Sequence, residues 1–332
     1  MKKTIIFAAA SAISTAQASY AQEAGFTWEG EVELGVDATV SSDDPTAQFS
    51  DTYISASLAF EAAIAQRLSL FGELTLESVI DAEDNRAFDD IGLYVAELGL
   101  RYNFGDTFVS VGKISPVFAV AWDEAPGFYG DALAGDYELS EMIGASVETP
   151  VGPGALSFAV FYADDTGLSD SIATKRGRVS VVDGGPGNTG KLDNVALQYT
   201  QEFGDTTAWI GARHLSAGDG DISDETGVVA GLTHGFANGF NLITEVAHFN
   251  GVGGTDDDAT YLTTGLTYTQ NVWTFSASTT VIDHSAAPTD SMIALGVDRN
   301  LAENIDASFG VARFDVEGEK STAVGLSAVI AF

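Results

Sequence analysis

The chain has 332 residues, 48 of them Asp or Glu against 14 Lys or Arg, with no Cys and a formal charge of −34, yet 45% of its residues are hydrophobic. That apolar content excludes an acidic disordered chain, and the lack of Cys excludes a disulfide scaffold and any thiolate metal or nucleophile site. So large a negative charge argues against nucleic acid as a partner, because phosphate binding needs clustered Lys and Arg.

At the start of the chain, Lys2 and Lys3 precede a short apolar run from Ile5 to Ile13. Small-residue cleavage patterns follow, Ala16-Gln17-Ala18 and Ser19-Tyr20-Ala21. This is the layout of a secretory signal peptide, too short to span a membrane as a helix. Cleavage is expected after Ala21, with Ala18 as the second choice. Residues 1–21 are then removed, and 22–332 form the exported chain as a single domain.

Beyond that point no run of eighteen apolar residues occurs, so helical membrane spans are not expected. The apolar residues alternate instead. Phe26, Trp28, Val32, Leu34, Val36 and Val40 fall on even positions, with Glu29, Glu31, Glu33 and Asp37 on odd ones. Period two sends the two sets to opposite faces of a strand. A face so rich in carboxylates must be wet, since unpaired buried charge is very costly.

The pattern recurs down the chain. Ile54, Leu58 and Phe60 alternate with Ser55, Ser57 and Glu61; Leu70, Leu74 and Leu76 with Glu73, Thr75 and Glu77. Tyr94, Leu98, Leu100 and Tyr102 alternate with Glu97 and Arg101. Later runs include Leu156-Phe158-Val160-Tyr162, Val195-Leu197-Tyr199, Trp273-Phe275-Ala277, Ile305-Ala307-Phe309-Val311 and Val324-Leu326-Ala328-Ile330-Phe332, taking every second residue. No helical period competes with it.

The connections alternate as well. Tight ones include Gly105-Asp106, Gly152-Pro153, Gly204-Asp205 and Asn271. Between them lie polar segments over 41–51, 81–90, 115–138, 164–193, 216–224, 250–258, 283–290 and 315–320. Seven short turns and eight long connections join sixteen strands. Spanning barrel strands need about 9–11 residues, which this spacing accommodates. A soluble β-sandwich also alternates, but it does not segregate short from long connections so regularly. The expected fold is all-β, a transmembrane antiparallel β-barrel of about 16 strands. Closure leaves no unpaired edge, as hydrocarbon requires of a backbone. Aromatics beside the short turns (Phe104, Phe203, Phe236, Phe240, Trp273) and at the chain ends (Trp28, Phe332) are expected to form an interfacial girdle.

With its leader, sixteen alternating strands, short turns and terminal Phe332, the chain resembles the Gram-negative outer-membrane general porins, of the α-proteobacterial type. The most specific local piece is Val109-Ser110-Val111-Gly112-Lys113 followed by the third long segment, with Trp122-Asp123-Glu124-Ala125-Pro126-Gly127-Phe128-Tyr129-Gly130-Asp131. The resemblance implies short periplasmic turns, long extracellular loops and a third loop folded into the pore. It also implies a homotrimer embedded in outer-membrane lipid and lipopolysaccharide, passing ions and small hydrophilic solutes. The constriction set expected on this basis is Lys113, Trp122, Asp123, Glu124, Phe128, Tyr129, Asp131, Asp136 and Glu138.

Parity assigns Glu29, Glu31, Glu33, Glu73, Glu77, Glu97 and Arg101 to the lumen wall, with Asp37, Glu61, Glu245 and Asp306. Classical members place an arginine cluster opposite the acidic loop, and here candidates are few. Arg213 fits either face, while Arg299 and Arg313 share parity with the lipid-facing residues.

No catalytic reading emerges. His214, His234, His248 and His284 lack metal-ligand spacing, and no nucleophile elbow or phosphate loop is present. Asp219, Asp221, Asp224 and Glu225 have calcium-like spacing without the full loop pattern and read as solvated loop. Lys175, Arg176 and Arg178 form a basic cluster in the fourth long segment, which reads as exposed loop, with contact to lipid-bound phosphate as the alternative. The expectation is therefore a passive, water-filled, cation-selective channel without cofactor, metal or enzymatic activity. The alternatives are a solute-selective channel for sugars or another small solute, and a barrel whose loops act as adhesin or hydrolase.

Overall fold

A computed structural model describes residues 25–332; the expected leader, 1–21, lies outside the described residues. The strands are β1 (Phe26–Ser42), β2 (Ser50–Ala65), β3 (Leu68–Ser78), β4 (Arg86–Ala87), β5 (Ile91–Asn103) and β6 (Phe108–Ile114). After a helical turn, α1 (Ala121–Glu124), come β7 (Met142–Val151), β8 (Gly154–Ala163), β9 (Ile172–Ala173), β10 (Asn194–Phe203), β11 (Thr206–Leu215) and β12 (Glu225–Gly235). The chain continues through β13 (Phe240–Asn250), β14 (Ala259–Gln270), β15 (Trp273–His284), β16 (Asp290–Ala302), β17 (Ile305–Val316) and β18 (Glu319–Ala331). Sixteen of these close into one antiparallel barrel. The two-residue strands β4 and β9 are appendages of the long connections, pairing with β2 and β5.

Closure is made by the two ends of the chain. Val32 of β1 faces Ala56 of β2 on one side and Ile330 of β18 on the other. Gly30 donates to the Phe332 carbonyl at 3.0 Å and accepts from its N–H at 2.9 Å. The alternation then sorts the faces. Leu34, Ile210, Val228, Ile293, Leu295 and Leu326 point outward and are exposed, an arrangement that suits hydrocarbon and not water. Phe161, Trp209, Phe249, Tyr261, Ile282, Met292 and Phe314 point inward and are buried. The hydrophobic core therefore lies inside the barrel, where these wall residues meet Phe118, Tyr129, Leu133 and Tyr137 of the third connection.

Aromatic side chains collect at the short-turn rim. Trp28 and Phe332 pack at 5.7 Å, Tyr102 and Phe104 at 4.5 Å, and Phe240 and Tyr268 at 4.6 Å between ring centroids. Arg299 lies outside the wall with its guanidinium 4.8 Å from the Trp273 ring centroid. Arg313 is likewise on the outer face, donating to the Thr322 hydroxyl.

Two local readings of the sequence are corrected. The segment 315–320 is not a long loop: β17 turns directly into β18 through Glu317-Gly318, both at positive φ (54° and 82°). That pair of dihedrals matches the right-handed twist of the flanking strands. Second, the β3–β5 ladder shifts register beside Glu73, so the alternation in β5 resumes out of phase. Tyr94, which parity assigned to the apolar face, turns inward, is buried and donates to Glu77 at 2.7 Å.

The outward assignment makes a stability prediction. Leu326→Lys, on the outer face of β18, is expected to cost about 2–4 kcal/mol if it lies near the bilayer midplane. Urea titration of the barrel folded into phospholipid vesicles measures this; an unchanged midpoint would contradict the facing.

Candidate functional site

The third connection leaves the wall at Ile114 and returns at Met142. Between these points it packs against inward-facing residues of strands far around the barrel. Its principal anchor is Glu245 of β13. One carboxylate oxygen accepts from the Val120 N–H at 2.8 Å and the Trp209 indole N–H at 2.6 Å. The other accepts from the Ala121 N–H at 3.2 Å and the Tyr137 hydroxyl at 2.6 Å. Four donors satisfy the carboxylate, so the buried charge is tolerated, and two of them are backbone groups at the start of α1 that need an acceptor. Nearby, Ala119 N–H donates to the Gln198 side chain at 2.7 Å.

Glycines on the wall let the connection come close. Phe128 lies over Gly310 and Gly325, Pro126 over Gly265, and Gly127 over Ser276 and Gly296. A Cβ at Gly325 would stand 2.1 Å from the Phe128 ring, so any larger residue there would have to displace the ring. Tyr129 is buried, and its hydroxyl bonds Asp37 of β1, which pairs with Gly325 on β18. Trp122 donates its indole N–H to the Phe118 carbonyl at 3.0 Å. The three aromatics of the constriction set are thus turned to packing against the wall or to internal bonding within the connection.

The connection covers the inner face of β10 to β18 and reaches β1 at Asp37, and the rest of the wall from β1 to β7 remains opposite it. That opposite wall carries the acids. Glu29 is exposed and Glu31, Glu77 and Glu97 are half-buried, whereas Glu33 and Glu73 are buried. Glu33 accepts from Tyr53 at 2.9 Å, and Glu97 accepts from the Ser115 N–H at 2.9 Å. On the connection itself Glu124 and Asp136 are exposed, and Asp123, Asp131 and Glu138 half-buried. Carboxylates therefore stand on both sides.

The cations are committed elsewhere. Lys113 is fully buried, with its Nζ 2.7 Å from Glu141 and 2.9 Å from Asp164, and so does not reach pore water as a free charge. Arg101 pairs with Glu61 at 2.7 Å beneath the Phe71 ring. Arg213, which fitted either face by sequence, points inward; it pairs with Glu225, donates to the Tyr137 carbonyl at 2.6 Å and packs against the Phe118 and Phe249 rings. Of the basic cluster, Lys175 pairs with Asp170 and Arg176 with Glu141. Asp221 and Asp224 accept backbone N–H groups of the surrounding loops, and among the described residues no group of three or more His, Asp or Glu could hold a metal ion.

Crowding raises the loop carboxyls. Burial, then Glu124 and Asp131, push Asp123 up to about 7. Burial, then Asp123 and Glu141, push Glu138 up to about 8. Asp136 is raised too, first by desolvation and then by Asp290.

The family model of the Gram-negative porins matches residues 8–319. The chain belongs to the Gram-negative porin family. It is a passive channel of the outer membrane. The fold of solved channels is the same at low identity. The outer membrane channel DcaP of Acinetobacter baumannii is 13% identical with a TM-score of 0.67, over 94% of this chain and 99% of that one. OprB of Pseudomonas putida is 10% identical with a TM-score of 0.66, over 93% and 94%. A mutant of the Rh. blastica porin is 13% identical with a TM-score of 0.61, over 93% and 100%. No curated protein matches the chain. Sequence parity missed two of the porin's interior features. Glu245 looked like one more lumen acid, and nothing local marks it as the anchor; Arg213 becomes legible only through its partner Glu225.

Two outcomes are expected. Glu245→Gln replaces two acceptor oxygens by one and an NH2, leaving loop N–H groups unpaired at a cost of about 1–3 kcal/mol. The urea midpoint in vesicles is expected to fall accordingly, and an unchanged midpoint would show that Glu245 is not the anchor. For pH, raised carboxyls are partly neutral near pH 7 and charge as pH rises through about 7 for Asp123 and about 8 for Glu138. Loop charge, and with it any preference for cations, should therefore grow between pH 6 and 9, as read from reversal potentials.

Proposed function

We propose that this porin is a cation-selective diffusion channel for ions and small hydrophilic solutes, narrowed by the segment 115–138. The observation that carries the reading is that carboxylates of the connection face carboxylates of the β1–β7 wall, while Lys113, Arg101 and Arg213 are each held by an acidic partner. A water-filled pore in a low-dielectric wall focuses the field of its lining charges. Screening over about 8–10 Å at physiological salt leaves those nearest the narrow point in charge. Asp123, Glu124 and Asp131 contribute most, with Asp136 and Glu138 behind them and Glu29, Glu31, Glu73, Glu77 and Glu97 on the wall. Glu33 and Glu245 contribute little, because their charge is spent on internal donors.

A general porin is favoured over a sugar-selective one because Phe128 and Tyr129 of the constriction set pack onto wall residues. The rest of the reading follows the family resemblance. Residues 1–21 direct export, 22–332 form one barrel domain, the short-turn rim faces the periplasm, and three copies assemble among outer-membrane lipid and lipopolysaccharide.

The test is the reversal potential of the purified porin in planar bilayers under a KCl gradient. The wild type is expected to favour potassium, and the triple variant Asp123→Asn, Glu124→Gln, Asp131→Asn to lose most of that preference. Anion preference in the wild type would refute the reading, and an unaltered potential in the triple variant would remove the connection from it.

A further inference from the structure

The stave β6 has only 7 residues, short of the roughly 9–11 that a barrel strand needs to cross the hydrocarbon band. Its neighbour β5 runs on from Leu98, the last residue paired with β6 at Lys113, back to Ile91. The deficit arises because the chain leaves the wall after Ile114 to enter the lumen. It creates a notch: β6 ends at Ile114 level with the ends of β7 and β8 at Met142 and Ala163, while the edge of β5 from Ile91 to Glu97 runs on past them without β6 beside it. Open backbone along such a notch is costly at membrane depth, since each unpaired group costs several kcal/mol in hydrocarbon.

The fourth connection, 164–193, fills it. Its strand β9 adds to the free edge of β5, with Ala173 opposite Gly92 and Ile172 opposite Leu93, and Thr174 N–H donates to the Ile91 carbonyl at 3.1 Å. Ile172 is exposed on the same face as Leu93, in the manner of an outward stave residue. A Cβ at Gly92 would come within 2.8 Å of the Thr174 carbonyl and the Val79 side chain, so the strap needs a glycine beneath it.

The chain then turns inward, and Arg176 fastens it. Its guanidinium grips both oxygens of Glu141, its Nε donates to the Ser169 carbonyl at 2.8 Å, and it stacks 3.8 Å over the Tyr94 ring. From the other side of the notch Lys113 holds Glu141, Asp164 and the Leu168 carbonyl. The register shift that turns Tyr94 inward thus supplies the platform on which Arg176 rests.

We propose that residues 171–176 are a strap that completes the barrel wall beside the shortened β6, with the Arg176–Glu141–Tyr94 contact as its latch. The wall is sealed by the chain's own fourth connection, and releasing the latch opens the side of the channel and makes its current unsteady. This does not depend on which ions the pore prefers.

The full-length barrel, refolded and placed in planar bilayers, provides the test. Leu93→Cys with Ile172→Cys, in a chain without native cysteine, is expected to cross-link on mild oxidation with wild-type conductance, because paired antiparallel positions fall within disulfide range. Arg176→Ala is expected to raise the rate of trypsin cleavage after Lys175 and Arg178 about tenfold, as local opening exposes the strap. It should also add brief current transitions. Both effects should vanish when Arg176→Ala is combined with the oxidised cysteine pair. A cysteine pair that does not cross-link overturns the strap, even where Arg176→Ala fails to fold. Cleavage and current in Arg176→Ala equal to the wild type overturn the latch.

Discussion

A backbone in hydrocarbon has no water to bond with, and the pairing of the first strand with the last is how this chain meets that condition. Val32 opposite Ile330, and the exchange between Gly30 and Phe332, leave the sheet without an edge. Once the sheet is closed, period two has only one use. Each strand must show lipid one face and the lumen the other, so a chain of 48 acids can also expose Ile210, Val228 and Leu326. The acidic composition and the exposed hydrophobics are two sides of the same sheet.

The interior then divides into two chemistries. Along β10 to β18 it is a dry core built between the wall and the third connection. Glycines at 265, 296, 310 and 325 lower the wall so that Pro126, Gly127 and Phe128 can lie flat on it. A carboxylate, not an amide, holds the start of α1, because two charged oxygens can accept four donors with no proton of their own to place. Arg213 plays the reciprocal part, offering donors to Glu225 and the Tyr137 carbonyl while its guanidinium packs against two aromatic rings. Removing either partner of that pair would strand a buried charge. The β1 to β7 side, which the connection covers less, carries carboxylates that run from exposed, at Glu29, to buried, at Glu33 and Glu73.

Much of this was legible in the residues. Strict alternation, the rhythm of short and long connections, and the aromatics beside the short turns are local signals, and the strands fall where those signals put them. What parity could not carry was any feature that depends on pairing between strands. Tyr94 turns inward because the β3–β5 ladder shifts register, a fact written in neither strand alone. The segment 315–320 had the composition of a loop, yet Glu317 and Gly318 suffice for a two-residue turn once both take positive φ. Lys113 has the parity of a wall residue and Arg213 fits either face. Their surroundings, Glu141 and Asp164 for one and Glu225 for the other, come from distant parts of the chain. Contacts over such separations leave no period to read.

Folding a connection into the lumen has consequences on both sides of the wall. It narrows the pore, and it withdraws the chain that would have lengthened β6. The cations in this region gather beside the shortened β6. Lys113 and Arg176 are drawn to Glu141, one in the wall and one in the fourth connection, and each is fully engaged there. A basic residue used to close the wall is not available to line the water. The lumen therefore keeps a surplus of carboxylate not only because acids outnumber bases, but because the inward bases are each held by an acidic partner, Lys113 by Glu141 and Asp164, Arg101 by Glu61 and Arg213 by Glu225.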